Sequence, residues 1–179
     1  MQLTDACSDY FTFEMLFHCG ETWRHVRCDN EPSESSSWLA YQALAKSVLD
    51  PLVKEFGQPE LTFGFCGHGL RRAILRHPKP GIAPRLDQHA ASERNRAGQL
   101  VCPRMGAAVD LIYPTISSAH IAHWLASHTP FDRIYFYCND RPVHISHGPL
   151  QSRAMAHLIE QQGRRLPRAL SLSTLQGWL

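Results

Sequence analysis

The sequence predicts an α+β fold, and three patterns support this prediction. Apolar residues recur at helical spacing over residues 38–56. The apolar run AAVDLIY at residues 107–113 is typical of a buried strand. Two further strands, at residues 133–137 and 143–146, flank a short turn and predict a hairpin. A chain of 179 residues is long enough to bury a core, so we expect one domain over residues 1–179.

The first third of the chain is expected to contain the longest helix. Residues 1–30, around FTFEMLFHC, predict short strands or irregular structure. Ser37 is expected to cap the helix over residues 38–56, and Gly57 to end it. Pro51 is expected to bend or interrupt this helix, because proline lacks the backbone N–H that the helix uses.

The elements that follow alternate between strand and helix. A strand at residues 61–65 and a Gly-rich turn precede a short basic helix at residues 70–76, which the stretch HPKPGIAP ends. A helix over residues 118–127, capped by Ser117 or Ser118, separates the buried strand from the hairpin. The last predicted element is a helix over about residues 149–162, followed by a basic tail. Helices therefore precede an antiparallel sheet that carries polar residues.

Composition excludes several classes of protein. The formal net charge of +2 is too small to indicate nucleic acid or a membrane surface as a partner. The six cysteines contain no CxxC pair, which favours reduced thiols. The N-terminus has no basic start and carries Asp5, Asp9 and Glu14 in its apolar stretch, so no signal peptide is predicted. No run approaches the length of a membrane span. A cytoplasmic location is expected.

Three residues of the second half are candidate metal ligands: His89 in PRLDQH, Asp110 in GAAVD and His144 in RPVHIS. Each lies at the edge of an apolar run, where a side chain can point inward from regular backbone. Two imidazoles and one carboxylate suit Zn²⁺ with an open position for water. This set therefore favours a zinc hydrolase.

The order of short sequence words supports this interpretation. VLDPLVKEFG, LTFGF, LDQH, GAAVD, IAHWL, FDRIYFY and VHIS follow one another over roughly residues 10–150. This order resembles the zinc peptidase superfamily of D-Ala-D-Ala carboxypeptidases, phage endolysin endopeptidases and the Hedgehog signalling domain, and within it the short phage-type members. The resemblance implies a small antiparallel sheet with helices packed on one side, and His89, Asp110 and His144 as zinc ligands. It also implies cleavage of an amide bond in a peptidoglycan-type or other small peptide. A phage-encoded member would be released by lysis.

The chain departs from the family pattern between the first two ligands. In the family motif, Ser-x-His-x-x-Gly-x-Ala-x-Asp, the His and Asp are much closer together than the 21 positions that separate His89 from Asp110. An insertion of this kind is tolerated because the cost of loop closure grows slowly with length. We expect the inserted segment to form a new wall beside the metal.

Two catalytic positions also differ. Cys66 stands where the family has an Arg that polarises the substrate carbonyl, so Arg71, Arg72 or Arg104 is expected to replace it. Arg141 stands where the family has its acidic general base.

A zinc hydrolase needs a carboxylate that takes the proton of the metal-bound water. Two residues are candidates for this base: Asp140 in the hairpin turn, and Glu93, which a helix would place on the same face as His89. Glu93 is slightly favoured. His147 and an arginine are expected to stabilise the developing oxyanion. The aromatic residues Phe131, Tyr135 and Tyr137 are interpreted as core rather than as a substrate platform.

A second function class remains open on the sequence. The missing Arg, the displaced acid and a basic middle segment also fit a divergent member that acts on an anionic substrate, or a metal-binding or interaction module without catalysis. The basic segment comprises Arg71, Arg72, Arg76, Lys79, Arg85, Arg94, Arg96 and Arg104. Nucleic-acid binding through this segment would rest on local charge alone. A second metal site from His18, Cys19, His25 and Cys28 matches no zinc-finger spacing.

Overall fold

A computed structural model describes residues 1–76 and 87–179, and for Arg164 the backbone only. The chain is α+β, as predicted. The helices are α1 Phe13–Phe17, α2 Glu21–Val26, α3 Ser35–Leu44, α4 Asp50–Phe56, α5 His68–Leu75, α6 Ser118–His128 and α7 Leu172–Gln176, with a π-helical turn Ala45–Leu49 and a 3-10 turn Gln88–Ala90. The strands are β1 Glu60–Phe63, β2 Ala107–Ile112, β3 Arg133–Phe136, β4 Val143–His147, β5 Ala154–Gln161 and β6 Arg164–Ala169.

The six strands form one sheet in the order β1-β2-β4-β3-β5-β6. Its neighbouring strands are antiparallel except β3 and β5, which are parallel. The sheet is therefore mixed and larger than the small antiparallel sheet predicted. The predicted hairpin is confirmed, since β3 and β4 pair with Ile134 opposite Ile145. No helix of the described residues is long and apolar enough to cross a membrane.

Strand alternation divides the sheet into a core face and a site face. Side chains of the core face, such as Val109, Ile134 and Ile145, are fully buried in the main hydrophobic cluster with α3, α4 and α6. Successive residues of a strand point to opposite faces. The residues between these apolar positions, Asp110 and His144 among them, therefore belong to the other face.

The predicted long helix is present but is not regular. It begins at Ser35 rather than at residue 38, with Glu34 as N-cap, so Ser37 lies within the first turn and is not the cap. A π-helical turn occupies Ala45–Leu49, immediately before the first turn of α4 that contains Pro51. Pro51 cannot donate the usual backbone hydrogen bond, and the wider turn lets the helix continue through it. Gly57 ends the helix with φ of +80°, as expected.

Two predicted segments were wrong. Most of residues 13–26 form α1 and α2 rather than short strands or irregular structure, and the Thr12 hydroxyl caps α1 by accepting from the Met15 N–H. Residues 149–162 do not form a helix. They contribute β5, which pairs with β3 on one side and with β6 on the other.

The physical reason for the second error lies in the turn between β5 and β6. Gln162 and Gly163 both have positive φ, +52° and +72°, which is the conformation of a two-residue type I′ hairpin turn. The run AMAHLIEQ is short and apolar, and periodicity alone cannot distinguish such a run from a helix. Pairing with β3, which is distant in sequence, decides its conformation.

Other predicted elements agree within a few residues. β1, α5, β2 and α6 lie at the predicted places, and Ser117 caps α6 by accepting from the His120 N–H. The stretch HPKPGIAP lies outside the described residues.

Candidate metal centre

The fold brings the three predicted ligands together from separate elements. His89 lies in the 3-10 turn, Asp110 on β2, and His144 on β4 directly opposite Asp110. Asp110 Oδ1 is 3.2 Å from His89 Nε2 and 2.8 Å from His144 Nδ1. The candidate ligand atoms of the three residues all lie within 4.8 Å of one another. One carboxylate oxygen therefore faces both imidazoles.

The tautomer of His89 follows from its second nitrogen. His89 Nδ1 lies 2.7 Å from the carbonyl oxygen of Gly64. A carbonyl only accepts, so Nδ1 carries the hydrogen and donates it. In the neutral ring, the Nε2 lone pair then points at the Asp110 carboxylate. Histidines that ligate metals commonly donate their other ring N–H to a backbone carbonyl in this way.

Electrostatics show that a positive charge belongs between these groups. Burial alone would lower the pKa of His89, but the carboxylates of Asp87 and Asp110 outweigh it and raise this pKa to about 9. Burial alone would raise the pKa of Asp110, yet the positive charge of His89 and the hydrogen bonds from both imidazoles lower it. Without a positive charge, the Nε2 lone pair of neutral His89 and the negative Asp110 carboxylate would repel each other. Either a proton or a metal cation can supply the charge.

His144 is held by an aromatic neighbour. The ring of Tyr135 stacks on it at a centroid distance of 4.6 Å and an interplanar angle of 18°. Tyr135 is also the β3 residue opposite His144. His144 Nε2 is buried and has no hydrogen-bond partner among the described residues, whereas Nδ1 faces Asp110. The ring is therefore oriented with Nδ1 as its candidate ligand atom.

The donor set fits zinc. Nitrogen and carboxylate ligands about 2.0–2.2 Å from a tetrahedral zinc lie roughly 3.3 Å apart. The distances of 2.8 and 3.2 Å from Asp110 Oδ1 to the two ring nitrogens are within about half an ångström of that value. Three protein ligands leave the fourth position for water or substrate, as in catalytic zinc sites.

A cavity of about 580 Å³ opens onto the three residues. Tyr135, Tyr137 and Arg141 contribute to its wall from the β3–β4 hairpin. A second wall comes from the β5–β6 hairpin. The remaining residues around the ligands are Asp87, Cys138, Pro142, His157, Leu158, Ile159, Glu160 and Arg165. The site is thus accessible to a small ligand and has both charges and aromatic rings around it.

Glu93, the favoured base, does not lie at this site. Its side chain is buried, 2% exposed, and its carboxylate accepts hydrogen bonds from the N–H groups of Ser33 and Glu34 and from the Ser37 hydroxyl. The expected shared helical face with His89 is absent, because the 3-10 turn ends at Ala91 with φ of +45°. Glu93 instead stabilises the beginning of α3.

The other predicted catalytic residues also lie apart from the three ligands. The Asp140 carboxylate, in the β3–β4 turn, accepts from Cys138 Sγ at 2.8 Å and does not line the cavity. His147 lies two residues beyond Ile145 on β4 and so shares its face, which is opposite that of His144, and burial lowers its pKa. Arg104 is half-buried before β2 and does not line the cavity either. None of the three lines the cavity that opens onto the candidate ligands.

The inserted segment does not wall the site as expected. The lining of the cavity contains no residue between 90 and 109. Part of that segment instead lines a smaller cavity of about 260 Å³ with Arg71. Lys79 and Arg85 of the basic segment lie outside the described residues. Cys66 is buried, and its N–H donates to the carbonyl oxygen of His89, a supporting role rather than an electrophilic one.

Sequence reasoning missed several residues around the ligands. Tyr135 and Tyr137 line the cavity, so of the aromatic set Phe131 alone is core as interpreted. The alternation of Tyr135 with Ile134 and Phe136 would have revealed its place on the face of His144. Arg165, which the sequence places in a basic C-terminal tail, lies on β6 and lines the cavity. His18, Cys19, His25 and Cys28, whose spacing did not favour a second metal site, form no metal-binding cluster within the described residues.

Comparison of the chain with family models, with curated proteins and with solved structures found no match. Functional inference therefore rests on the residues of this site.

Proposed function

We propose that the protein is a zinc-dependent hydrolase that cleaves an amide bond in a small peptide, of the kind found in peptidoglycan. The observation that carries this proposal is the Asp110 carboxylate shared by two oriented imidazoles at the base of an open cavity. The resemblance of the sequence to zinc peptidases supports the choice of reaction. The proposed zinc ligands are His89 Nε2, Asp110 Oδ1 and His144 Nδ1.

Zinc at this site would supply an activated water and polarise the scissile carbonyl. A carboxylate of the chain must then accept the proton of that water. We assign this role to Asp87, because it lines the cavity beside His89, whereas Glu93 and Asp140 do not. One oxygen of Asp87 accepts a hydrogen bond from the backbone N–H of His89 at 3.1 Å, and this bond orients the carboxylate. Apart from Asp87 and the proposed ligand Asp110, the lining contains one further carboxylate, that of Glu160.

A second candidate function is favoured by the cations of the cavity. Arg141 and Arg165 both contribute to its lining. Guanidinium groups bind carboxylates and phosphates well. A metal-dependent activity on an anionic substrate other than a peptide, or anion binding without catalysis, is therefore the alternative to peptide hydrolysis.

The metal assignment is tested by metal analysis of the purified protein and of His89→Ala and Asp110→Ala. We expect about one zinc ion per chain in the parent protein and a large loss in both variants, since each removes one of three ligands. Circular dichroism checks that the variants are folded. Full zinc occupancy in both variants would overturn the assignment.

The reaction is tested by incubating the protein with peptidoglycan fragments and D-Ala-D-Ala peptides. Cleavage that His144→Ala abolishes would support the hydrolase. Asp87→Asn is expected to retain zinc and to lower kcat by about 10²–10⁴-fold, the usual contribution of a general base. Zinc binding without cleavage of either substrate would favour the second candidate.

A further inference from the structure

A buried polar network lies directly behind the metal centre. Gln88, the residue before His89, is fully buried, and its carboxamide makes three hydrogen bonds. Its Nε2 donates to the carbonyl oxygen of Met105 and to Asp132 Oδ2, both at 2.7 Å. Its Oε1 accepts from the Ser146 hydroxyl at 2.7 Å. This side chain therefore uses both amide hydrogens and its oxygen.

These partners lie next to the other two ligands along the chain. Ser146 is two residues beyond His144 on β4, and strand alternation places both on the same face. Met105 lies just before β2, the strand that carries Asp110. The Gln88 carboxamide thus connects the turn that holds His89 to the two strands that hold Asp110 and His144.

Asp132 determines which way the carboxamide points. It is 0% exposed, and its Oδ1 accepts from the N–H of Ser152 at 2.8 Å and from the Ser152 hydroxyl at 2.6 Å. Burial alone would raise its pKa, but the hydrogen bonds from Ser152 and Gln88 lower it, so the carboxylate is ionised and only accepts. An acceptor at Oδ2 requires the NH₂ group of Gln88, and the opposite amide orientation would place two acceptors in contact.

Space for the carboxamide is made by a glycine. A Cβ atom at Gly148 would lie 2.5 Å from Gln88 Nε2, closer than real Cβ contacts. The chain after β4 therefore passes against the amide without a side chain. The three hydrogen bonds of the Gln88 carboxamide and the close approach of Gly148 therefore favour one position of this side chain.

We propose that Gln88 and Asp132 are positioning residues of the metal centre, which set its affinity by holding the His89 turn against β2 and β4. This inference rests on the proposed zinc site. Neither residue contacts the candidate ligand atoms, so their effect passes through the backbone of His89. Outer-shell partners of this kind typically alter metal affinity by about 10–100-fold.

Asp132→Asn tests the proposal with minimal change of shape. The substitution removes one acceptor and adds a donor opposite Gln88 or Ser152, so the carboxamide is no longer held. Asp50→Asn is the matched control, since Asp50 is a buried carboxylate that accepts from the Ser8 hydroxyl and the Asp9 N–H, in α4. The probe is Zn²⁺ alone, with its Kd measured by chelator competition, and Co²⁺ absorption reports the ligand geometry.

We expect Asp132→Asn to raise the Kd for Zn²⁺ at least about tenfold and to alter the Co²⁺ spectrum. Asp50→Asn should stay within twofold of the parent protein, although it loses stability. If Asp132→Asn does not fold, Ser146→Ala, which removes one donor to Gln88, should raise the Kd several-fold. Parent-like Kd values in the folded network variants, or an equal loss in Asp50→Asn, would overturn the inference and leave the proposed function intact. Absence of zinc binding in the parent protein would overturn both.

Discussion

At the scale of single residues, Asp110 Oδ1 is an acceptor shared by two histidines. Without a metal, a proton lies between His89 Nε2 and this carboxylate. His89 carries that proton, because its pKa is raised to about 9. Its Nε2 must lose the proton before it can ligate a metal. A metal at the proposed site would therefore compete with the proton for the same nitrogen.

This competition predicts that zinc affinity rises with pH. Below the pKa of about 9, each unit of pH increases the deprotonated fraction of His89 tenfold, so the apparent Kd should fall about tenfold per unit. The Kd for Zn²⁺ is measured by chelator competition from pH 6 to 8.5. Calorimetry in buffers of different ionisation enthalpy should show release of at least one proton. A Kd that does not change over this range would contradict the protonated state of His89.

At the scale of elements, Glu93 connects the segment between His89 and β2 to the beginning of α3. Its carboxylate accepts two backbone N–H groups and one hydroxyl at that helix end. The contact satisfies the N–H groups of the N-cap residue Glu34 and of Ser33 before it, and so holds the chain that leads into α3. A negative charge there is also favourable for the helix dipole.

Glu93→Gln should therefore lower stability without affecting the metal. We expect a loss of about 1–2 kcal/mol in the free energy of unfolding, because a neutral amide weakens the charge-assisted hydrogen bonds from Ser33, Glu34 and Ser37. Denaturant unfolding without zinc measures this loss, and metal analysis should show parent-like zinc content. The exposed Asp140→Asn serves as a control that should change neither quantity. A Glu93→Gln protein of unchanged stability that has lost hydrolysis would restore Glu93 as the base.

The β5–β6 hairpin forms one wall of the cavity. The sequence predicts a helix and a basic tail for these residues. In the observed register, Glu160 lies directly opposite Arg165. Residues directly opposite in an antiparallel pair have adjacent side chains on one face. Their charges should therefore interact across the hairpin.

A double-mutant cycle tests this register. Glu160→Arg places two like charges opposite each other and should lower the free energy of unfolding by roughly 0.5 kcal/mol. The exchanged pair Glu160→Arg with Arg165→Glu should recover most of that loss. Urea unfolding measures the coupling, and Glu160→Arg with Arg168→Glu is the control, because Arg168 lies opposite His157. If the changes in unfolding free energy of the two single variants simply add in the exchanged pair, Glu160 and Arg165 do not interact and the register is contradicted.

At the scale of the whole molecule, the candidate ligands come together only in the folded chain. His89 is 21 residues from Asp110, and Asp110 is 34 from His144. An unfolded chain does not hold these residues together, so zinc at the proposed site would bind the folded state selectively. Selective binding stabilises that state.

Thermal unfolding should therefore depend on zinc. Free Zn²⁺ at 100 times its Kd adds about 2.7 kcal/mol. For a chain of this size that corresponds to a rise in Tm of about 5–10 °C. Scanning calorimetry with and without Zn²⁺ measures the rise, and Asp110→Ala should show almost none. An equal rise in Asp110→Ala would place zinc elsewhere on the protein.

The sequence by itself determined the class of fold, most of the elements and the three candidate ligands. Local patterns carry this information: helical spacing before Gly57, the apolar run of β2, and alternation on β4. These signals arise within a few residues, where backbone geometry relates spacing directly to a helix or strand face.

Tertiary structure alone decided the conformation of β5 and the surroundings of the ligands. β5 is a strand because β3 and β6 pair with it, a contact that no local pattern of AMAHLIEQ specifies. Glu93 accepts hydrogen bonds at the beginning of α3 because Ser33, Glu34 and Ser37, which lie far from it in the chain, are its neighbours in the fold. Residue types and spacing can identify candidate carboxylates for a metal site. Which of these carboxylates faces the candidate site depends on packing between distant segments.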